Sequence, residues 1–129
     1  MHGKFLLDTN IVLALFANDS VVVEQMESAE EVFIPSIVVG ELYYGARKSG
    51  RVRENVARVD LFAEANVILA CDTETCRWYG VVKDLLWQKG STIPENDVWI
   101  AALALRHGLV LVTRDSNFAE VTNLKTETW

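Results

Sequence analysis

The spacing of apolar residues changes repeatedly along this chain, and each change marks an element. KFLLD, residues 4–8, is a short apolar run closed by a polar cluster, the pattern of a buried strand, and TNIVLALFAN behind it has helical length. DSVVVEQMESA gives a second, shorter helix. EVFIP is a strand stopped by Pro35, with Ser36 placed to cap the helix SIVVGELYYGARKSG. In RVRENVARVDLFAEAN, Val52, Val56, Val59 and Phe62 recur at steps of four, three and three, which lays an apolar face along one helix and the charges opposite. VILA is a brief strand. DTETCRWYGVVKDLLWQKG opens on cap residues, aligns Trp78, Val82 and Leu85 on one face and stops at Gly90. STIPEND leads into a helix through Arg106 that Gly108 ends. LVLVT is a strand, and RDSNFAEV and LKTETW read as a turn of helix and an edge strand.

Strands separated by helices, with every connection long enough for a crossover, predict a three-layer α/β/α domain: a mainly parallel, doubly wound sheet with helices on both faces. With 129 residues, 50% of them hydrophobic, the chain suits one domain with a sizeable core, spanning residues 1–129. No apolar run approaches the roughly 18 to 20 residues that span a bilayer, and Asp8 and Asn10 interrupt the first one. A cytoplasmic protein is expected.

Composition adds less. Cys71 and Cys76 lack CxxC spacing and histidine partners, so buried, reduced thiols are expected. His107, just before Gly108, suits a helix terminus. A net charge of −6 argues against coating a polyanion through bulk positive charge. Five of the twelve basic residues, however, gather as Arg47, Lys48, Arg51, Arg53 and Arg58. Such a run is either a solvated helix face or a track for phosphates.

The chemistry lies in four acids. Asp8 follows the first strand and Asp115 follows LVLVT by two residues, so both reach the carboxyl edge of the sheet, where ligands of doubly wound folds sit. Asp97 continues the helical line of Ala101 and Leu105, and Glu41 is in register with Ile37 and Val38; both point inward. Each acid alone has an ordinary reading: a cap for Asp8, a first-turn residue for Asp97, a turn for Asp115, a solvent-facing side chain for Glu41. Together they would repel one another, and only Arg114 adjoins any of them. A hard divalent cation would neutralise the set, with one or two direct carboxylates and the rest holding its waters.

LLDTNI, VVGELYYGA, NDVWIAALALRHG and LVLVTRDSNF, in that order and spacing over nearly the whole chain, resemble the PIN-domain family, particularly the VapC-type toxins of toxin–antitoxin modules. The resemblance implies a Mg²⁺- or Mn²⁺-dependent ribonuclease with Asp8, Glu41, Asp97 and Asp115 as its acidic quartet, and Asn10 and Thr113 as supporting residues. Trp99 departs from the pattern: many relatives have DALIAA where this chain has DVWIAA. The resemblance further implies a homodimer and a cognate antitoxin whose tail enters the acidic cleft. RNA would be drawn in by the basic run, chiefly Arg47, Lys48 and Arg51. For Trp78, Tyr79, Trp87, Tyr43 and Tyr44, core packing is the first reading and a dimer or antitoxin surface the second.

Two other functions fit parts of the pattern. A phosphatase of the haloacid dehalogenase type also has an aspartate after its first strand, but needs a second aspartate where this chain has Asn10. A PIN-like module without activity would use the acidic cleft only to hold a basic peptide.

Overall fold

The computed structural model describes residues 3–129. Met1 and His2, the first residues of the expected domain, lie outside them. Strands β1 (Lys4–Leu7), β2 (Glu31–Pro35), β3 (Val67–Leu69), β4 (Val110–Val112) and β5 (Thr126–Glu127) form one sheet ordered β3-β2-β1-β4-β5. Every neighbouring pair is parallel, so the sheet expected to be mainly parallel is wholly so. Among the described residues six helices fill the connections: α1 (Thr9–Phe16), α2 (Ser20–Ser28), α3 (Ser36–Arg47), α4 (Val52–Ala65), α5 (Thr73–Gln88) and α6 (Glu95–His107). A short 3-10 helix, Ser116–Glu120, lies between β4 and β5.

The order of the strands locates the crevice. The chain steps outward from β1 to β2 to β3, then returns to the other side of β1 for β4. Right-handed crossovers lay the helices of these opposite steps on opposite faces, and the reversal leaves a gap beyond the carboxyl ends of β1 and β4. Leu7 is in register with Val112, and the Asp8 amide donates to the Val112 carbonyl at 3.0 Å. The residues following the two strands, Asp8 and Thr113, therefore meet at that gap.

Burial explains why the elements hold. Phe5, Leu6 and Leu7 are all buried, as a central parallel strand covered on both faces requires. In α6, Val98 and the run from Ile100 to Ala104 are buried, because the helix is wedged between the sheet and α5. The line from Asp97 through Ala101 fits that packing, whereas Leu105 near the helix end is only half-buried. In α5 the buried line is Thr75, Val82 and Leu86, and Trp78 and Leu85 lie half-buried to its sides.

Several local expectations need correcting. Ser36 does not cap α3; it is the first helical residue, and Pro35 occupies the cap position without a side-chain bond. Asp72, by contrast, caps α5, its Oδ1 accepting from the Thr75 amide at 2.9 Å and hydroxyl at 2.7 Å. Cys71 and Cys76 are free thiols, but the first is half-buried and the second exposed, since they flank the start of α5 at the sheet edge rather than the core. Of the five aromatic residues, Tyr43 and Tyr79 are half-buried and pack against the core, Trp78 is half-buried at its side, and Trp87 and Tyr44 are 79% and 64% exposed. Among the described residues no helix is long and apolar enough to cross a membrane.

Candidate active site

Asp8 is the hub of the crevice. It is only 5% exposed and divides its two oxygens between separate tasks. Oδ1 accepts from the Thr9 amide at 2.8 Å and so caps α1, while Oδ2 accepts from the Thr113 hydroxyl at 2.7 Å and from the Asn10 side-chain amide at 3.3 Å. Thr113 Oγ1 in turn accepts from the Asp115 amide at 3.0 Å, and Asn10 Oδ1 accepts from the Arg114 amide at 3.1 Å. Asn10 and Thr113 thus tie the loop after β4 to the end of β1.

The other acids are tethered to the same place. The Thr9 hydroxyl donates to Glu41 Oε1 at 3.0 Å, holding α3 to the start of α1. Asn117 donates through its backbone to Asp115 Oδ1 at 2.9 Å and through its side chain to Asp115 Oδ2 at 3.4 Å. The same side chain is also a hydrogen-bond partner of Asp97.

Electrostatics show how closely the four are gathered. Burial raises the pKa of Asp97 to about 6, helped by the charge of Asp8 and then by those of Asp115 and Glu41, against the Asn117 hydrogen bond. Asp8 is raised by burial and by the charge of Asp115, with the Thr113, Thr9 and Asn10 bonds opposing. Glu41 is raised by burial and by Asp8, with Thr9 opposing. Among the described residues no lysine or arginine acts on any of these three. Arg114, which adjoins the set in sequence, turns away: its side chain donates to the Trp129 carbonyl at 2.9 Å and pairs with Asp19 at 3.0 Å.

Hard oxygen donors, desolvated and without a countercharge, are the donor set that suits a divalent cation such as Mg²⁺. Among the described residues no three or more acids, imidazoles or thiols converge into a group that could hold a metal ion by themselves. An ion here would therefore be held by only one or two carboxylates and keep most of its water.

A groove of about 400 Å³ opens beside Glu41, shared by Thr9, Leu13, Phe16, Leu42 and Arg58. Arg58 lies 4.5 Å above the Phe16 ring and donates to the Phe16 carbonyl. Arg47, Lys48 and Arg51 are exposed but do not line this groove. Arg47 faces a second groove with Arg53, Lys48 lies 5.3 Å over the Tyr44 ring, and Arg51 pairs with Glu54 at 3.3 Å.

A family model described as PIN domain matches residues 5–124. The chain belongs to the PIN-domain family, among its VapC-type ribonucleases. This PIN domain is 36% identical to ribonuclease VapC2 of Haemophilus influenzae over 98% of each chain. It is 31% identical to the tRNA(fMet)-specific endonuclease VapC of Shigella flexneri, again over 98% of each. The crystal structure of DNA-bound VapBC from Salmonella typhimurium matches with a TM-score of 0.91 at 31% identity, covering 100% of this chain and 99% of that one. VapBC2 from Rickettsia felis, bound to a promoter DNA fragment, matches with a TM-score of 0.90 at 31% identity, over 98% of both.

Within this PIN domain Asn10 is where a haloacid dehalogenase phosphatase would need its second aspartate, and it serves instead as a clamp between Asp8 and Arg114. Thr9 and Asn117 are contacts of the acids that sequence reading missed. For Thr9 the only signal is its place next to Asp8. For Asn117 it is a spacing of two from Asp115, which any Asx turn shares.

Proposed function

We propose that this chain, as a single nuclease domain over residues 1–129, is the divalent-metal-dependent endoribonuclease toxin of a VapBC-type module. It would hydrolyse RNA phosphodiesters with water as nucleophile. The observation that carries this reading is the set of desolvated, mutually repelling carboxylates at the switch point of the sheet, with no lysine or arginine among the described residues acting on them. Names of full-length relatives, ribonuclease VapC2 and tRNA(fMet)-specific endonuclease VapC, support RNA as the substrate class.

Asp8 and Asp97 are the proposed direct ligands of Mg²⁺ or Mn²⁺, with Glu41 and Asp115 holding its waters. When bound, the ion supplies positive charge to the phosphate oxygens and makes a water easier to deprotonate. The chain's own residues do the rest. Thr113 and Asn10 fix the Asp8 carboxylate, Thr9 fixes Glu41, and Asn117 spaces Asp97 from Asp115. One of the carboxylates that does not bind the ion directly would take the proton from the attacking water. In-line attack at phosphorus would leave a 5′-phosphate and a 3′-hydroxyl.

As partners, a cognate antitoxin would cover the cleft, its basic tail answering the acids, and a second copy of the chain would cover exposed apolar surface such as Leu61 and Trp87. VapBC complexes among the structural relatives support the first of these. A cytoplasmic setting fits the free thiols. The test is cleavage of total cellular RNA with and without Mg²⁺ or Mn²⁺ by wild type and Asp97→Asn. Metal-dependent cuts that disappear in the variant are expected. Metal-independent cutting, or an equally active variant, would refute the reading.

A further inference from the structure

A third recess opens at the same carboxyl edge of the sheet as the acids, away from the Arg58 groove. It measures about 520 Å³ and is lined by Ser36, Ile37, Cys71, Cys76, Asn96 and Trp99. Its walls adjoin the acids through the chain itself: Asn96 precedes Asp97 in the first turn of α6, and Ile37 lies one turn before Glu41 on α3. The recess therefore lies next to the acids on both α3 and α6.

Trp99 is the feature of this recess. Its ring is stacked on Tyr79, with centroids 4.0 Å apart and planes within 19°. Tyr79 is not part of the recess wall, so it backs the indole from the far side. Tyr79 is itself fixed, its hydroxyl donating to Glu95 and accepting from Lys83 at 3.2 Å, while Lys83 closes the triangle on Glu95 at 2.7 Å. The indole is thus a rigid platform before any ligand arrives, and little side-chain entropy remains to be lost on binding. A flat π surface held beside a phosphate-cleaving centre matches the way single strands are gripped, by stacking of unpaired bases on aromatic rings.

The lining decides between occupants. None of the six lining residues is acidic or basic, so an arginine or lysine side chain would be drawn to the acids next door rather than to the recess itself. A neutral heterocycle loses nothing by comparison. We propose that Trp99, backed by Tyr79, is a stacking site for one unpaired RNA base next to the cleaved phosphate. This rests on the ribonuclease reading above, deepening it by naming a side chain that grips the substrate beside the acids.

Binding and cutting are measured separately. Affinity for a short single-stranded oligoribonucleotide is read by fluorescence polarisation in an Asp97→Asn background, which prevents cutting, with Trp99 intact or replaced by Ala or Phe. Thermal midpoints confirm that each variant folds. Trp99→Ala is expected to weaken binding roughly 5- to 100-fold, Trp99→Phe to recover most of the loss, and a duplex of the same sequence to bind no better than the Ala variant. An abasic nucleotide moved along the oligomer should reproduce the loss at one position only, and cost nothing further in Trp99→Ala. In the cleaving protein Trp99→Ala should raise KM more than it lowers kcat.

Affinity that does not depend on Trp99, or equal binding of the duplex, would overturn the stacking site while leaving metal-dependent cutting intact. Trp99-dependent binding by a protein that cuts no RNA would sink the nuclease reading alone. Loss of binding to an arginine-bearing peptide in Trp99→Ala, with RNA affinity unchanged, would give the recess to a protein partner and overturn the proposal.

Discussion

Replacing Asp97 with asparagine should make the metal-free protein more stable. The fold raises the Asp97 pKa from 3.8 to about 6, so it favours the protonated carboxyl. The stabilisation this gives is fully present below pH 3.8 and is lost as the pH rises through about 6; above that, the charged form works against folding. A rise of that size corresponds to at most about 3 kcal/mol, and screening by water in the open cleft reduces this to about 1 to 2 kcal/mol at pH 7.5. Asparagine nearly preserves the shape, retains an oxygen to accept from Asn117, and cannot charge. For a chain of 129 residues the gain corresponds to a Tm higher by roughly 4 to 8 °C. The assay is thermal and urea unfolding of both proteins with a chelator, at pH 4 and pH 7.5. The difference should nearly vanish at pH 4, where both side chains are neutral. Added Mg²⁺ should then raise the Tm of the wild type more than that of the variant, through mass action on the folded state. A variant that is less stable than wild type at pH 7.5 without metal, or equally stabilised at both pH values, would refute the account of Asp97 as an uncompensated charge.

Thr113→Val keeps the shape but removes the 2.7 Å donor to buried Asp8, and should cost roughly 1.5 to 3 kcal/mol in urea unfolding at pH 7 together with a weaker Mg²⁺-induced rise in Tm. Trp129→Ala deletes a 6%-exposed indole packed edge-on against Phe5 at 5.1 Å, and should cost about 3 kcal/mol or more by the same measurement. The triple variant of Arg47, Lys48 and Arg51 to Gln should lower RNA affinity and flatten its dependence on salt, read by polarisation at several salt concentrations; an unchanged slope would leave these three as a solvated face. Arg58→Gln should lower affinity more than any one of those three, because Arg58 alone among them lines the groove with Glu41.

What the sequence made legible was whatever is written in periodicity or in chemical incongruity. Asp8 and Asp115 stand out because a charge directly beyond an apolar strand has few places to go, and Asp97 and Glu41 because helical phasing aims them inward. Asn10 and Thr113 came only through resemblance to a family, since a threonine after a strand and an asparagine in a first turn are ordinary there. Thr9 and Asn117 stayed hidden for the same reason. In α5 steps of three and four are both helical, so Trp78, Val82 and Leu85 were as plausible a face as the observed Thr75, Val82 and Leu86; packing against α6 chose between them. Hydrophobicity also misplaced Trp87, which follows Leu86 by one residue and so rotates about 100° away from the buried line.

The division of labour at Asp8 explains how so acidic a crevice persists in a chain that is half hydrophobic. One of its oxygens caps α1 and the other receives two side-chain donors, so the carboxylate helps to hold β1, α1 and β4 together while adding to the negative charge they enclose. Stability from the hydrogen bonds and repulsion within the cluster therefore meet in one side chain. Removing Asp8 is expected to loosen the fold as well as to disturb the proposed chemistry, so loss of activity in such a variant would have two causes. Asp97 carries no cap and no strand-to-strand tie; Asn117, its side-chain hydrogen-bond partner, can donate equally to an asparagine. Asp97 is thus the acid at which the proposed chemistry separates from folding, and the same substitution is expected to gain stability and lose catalysis.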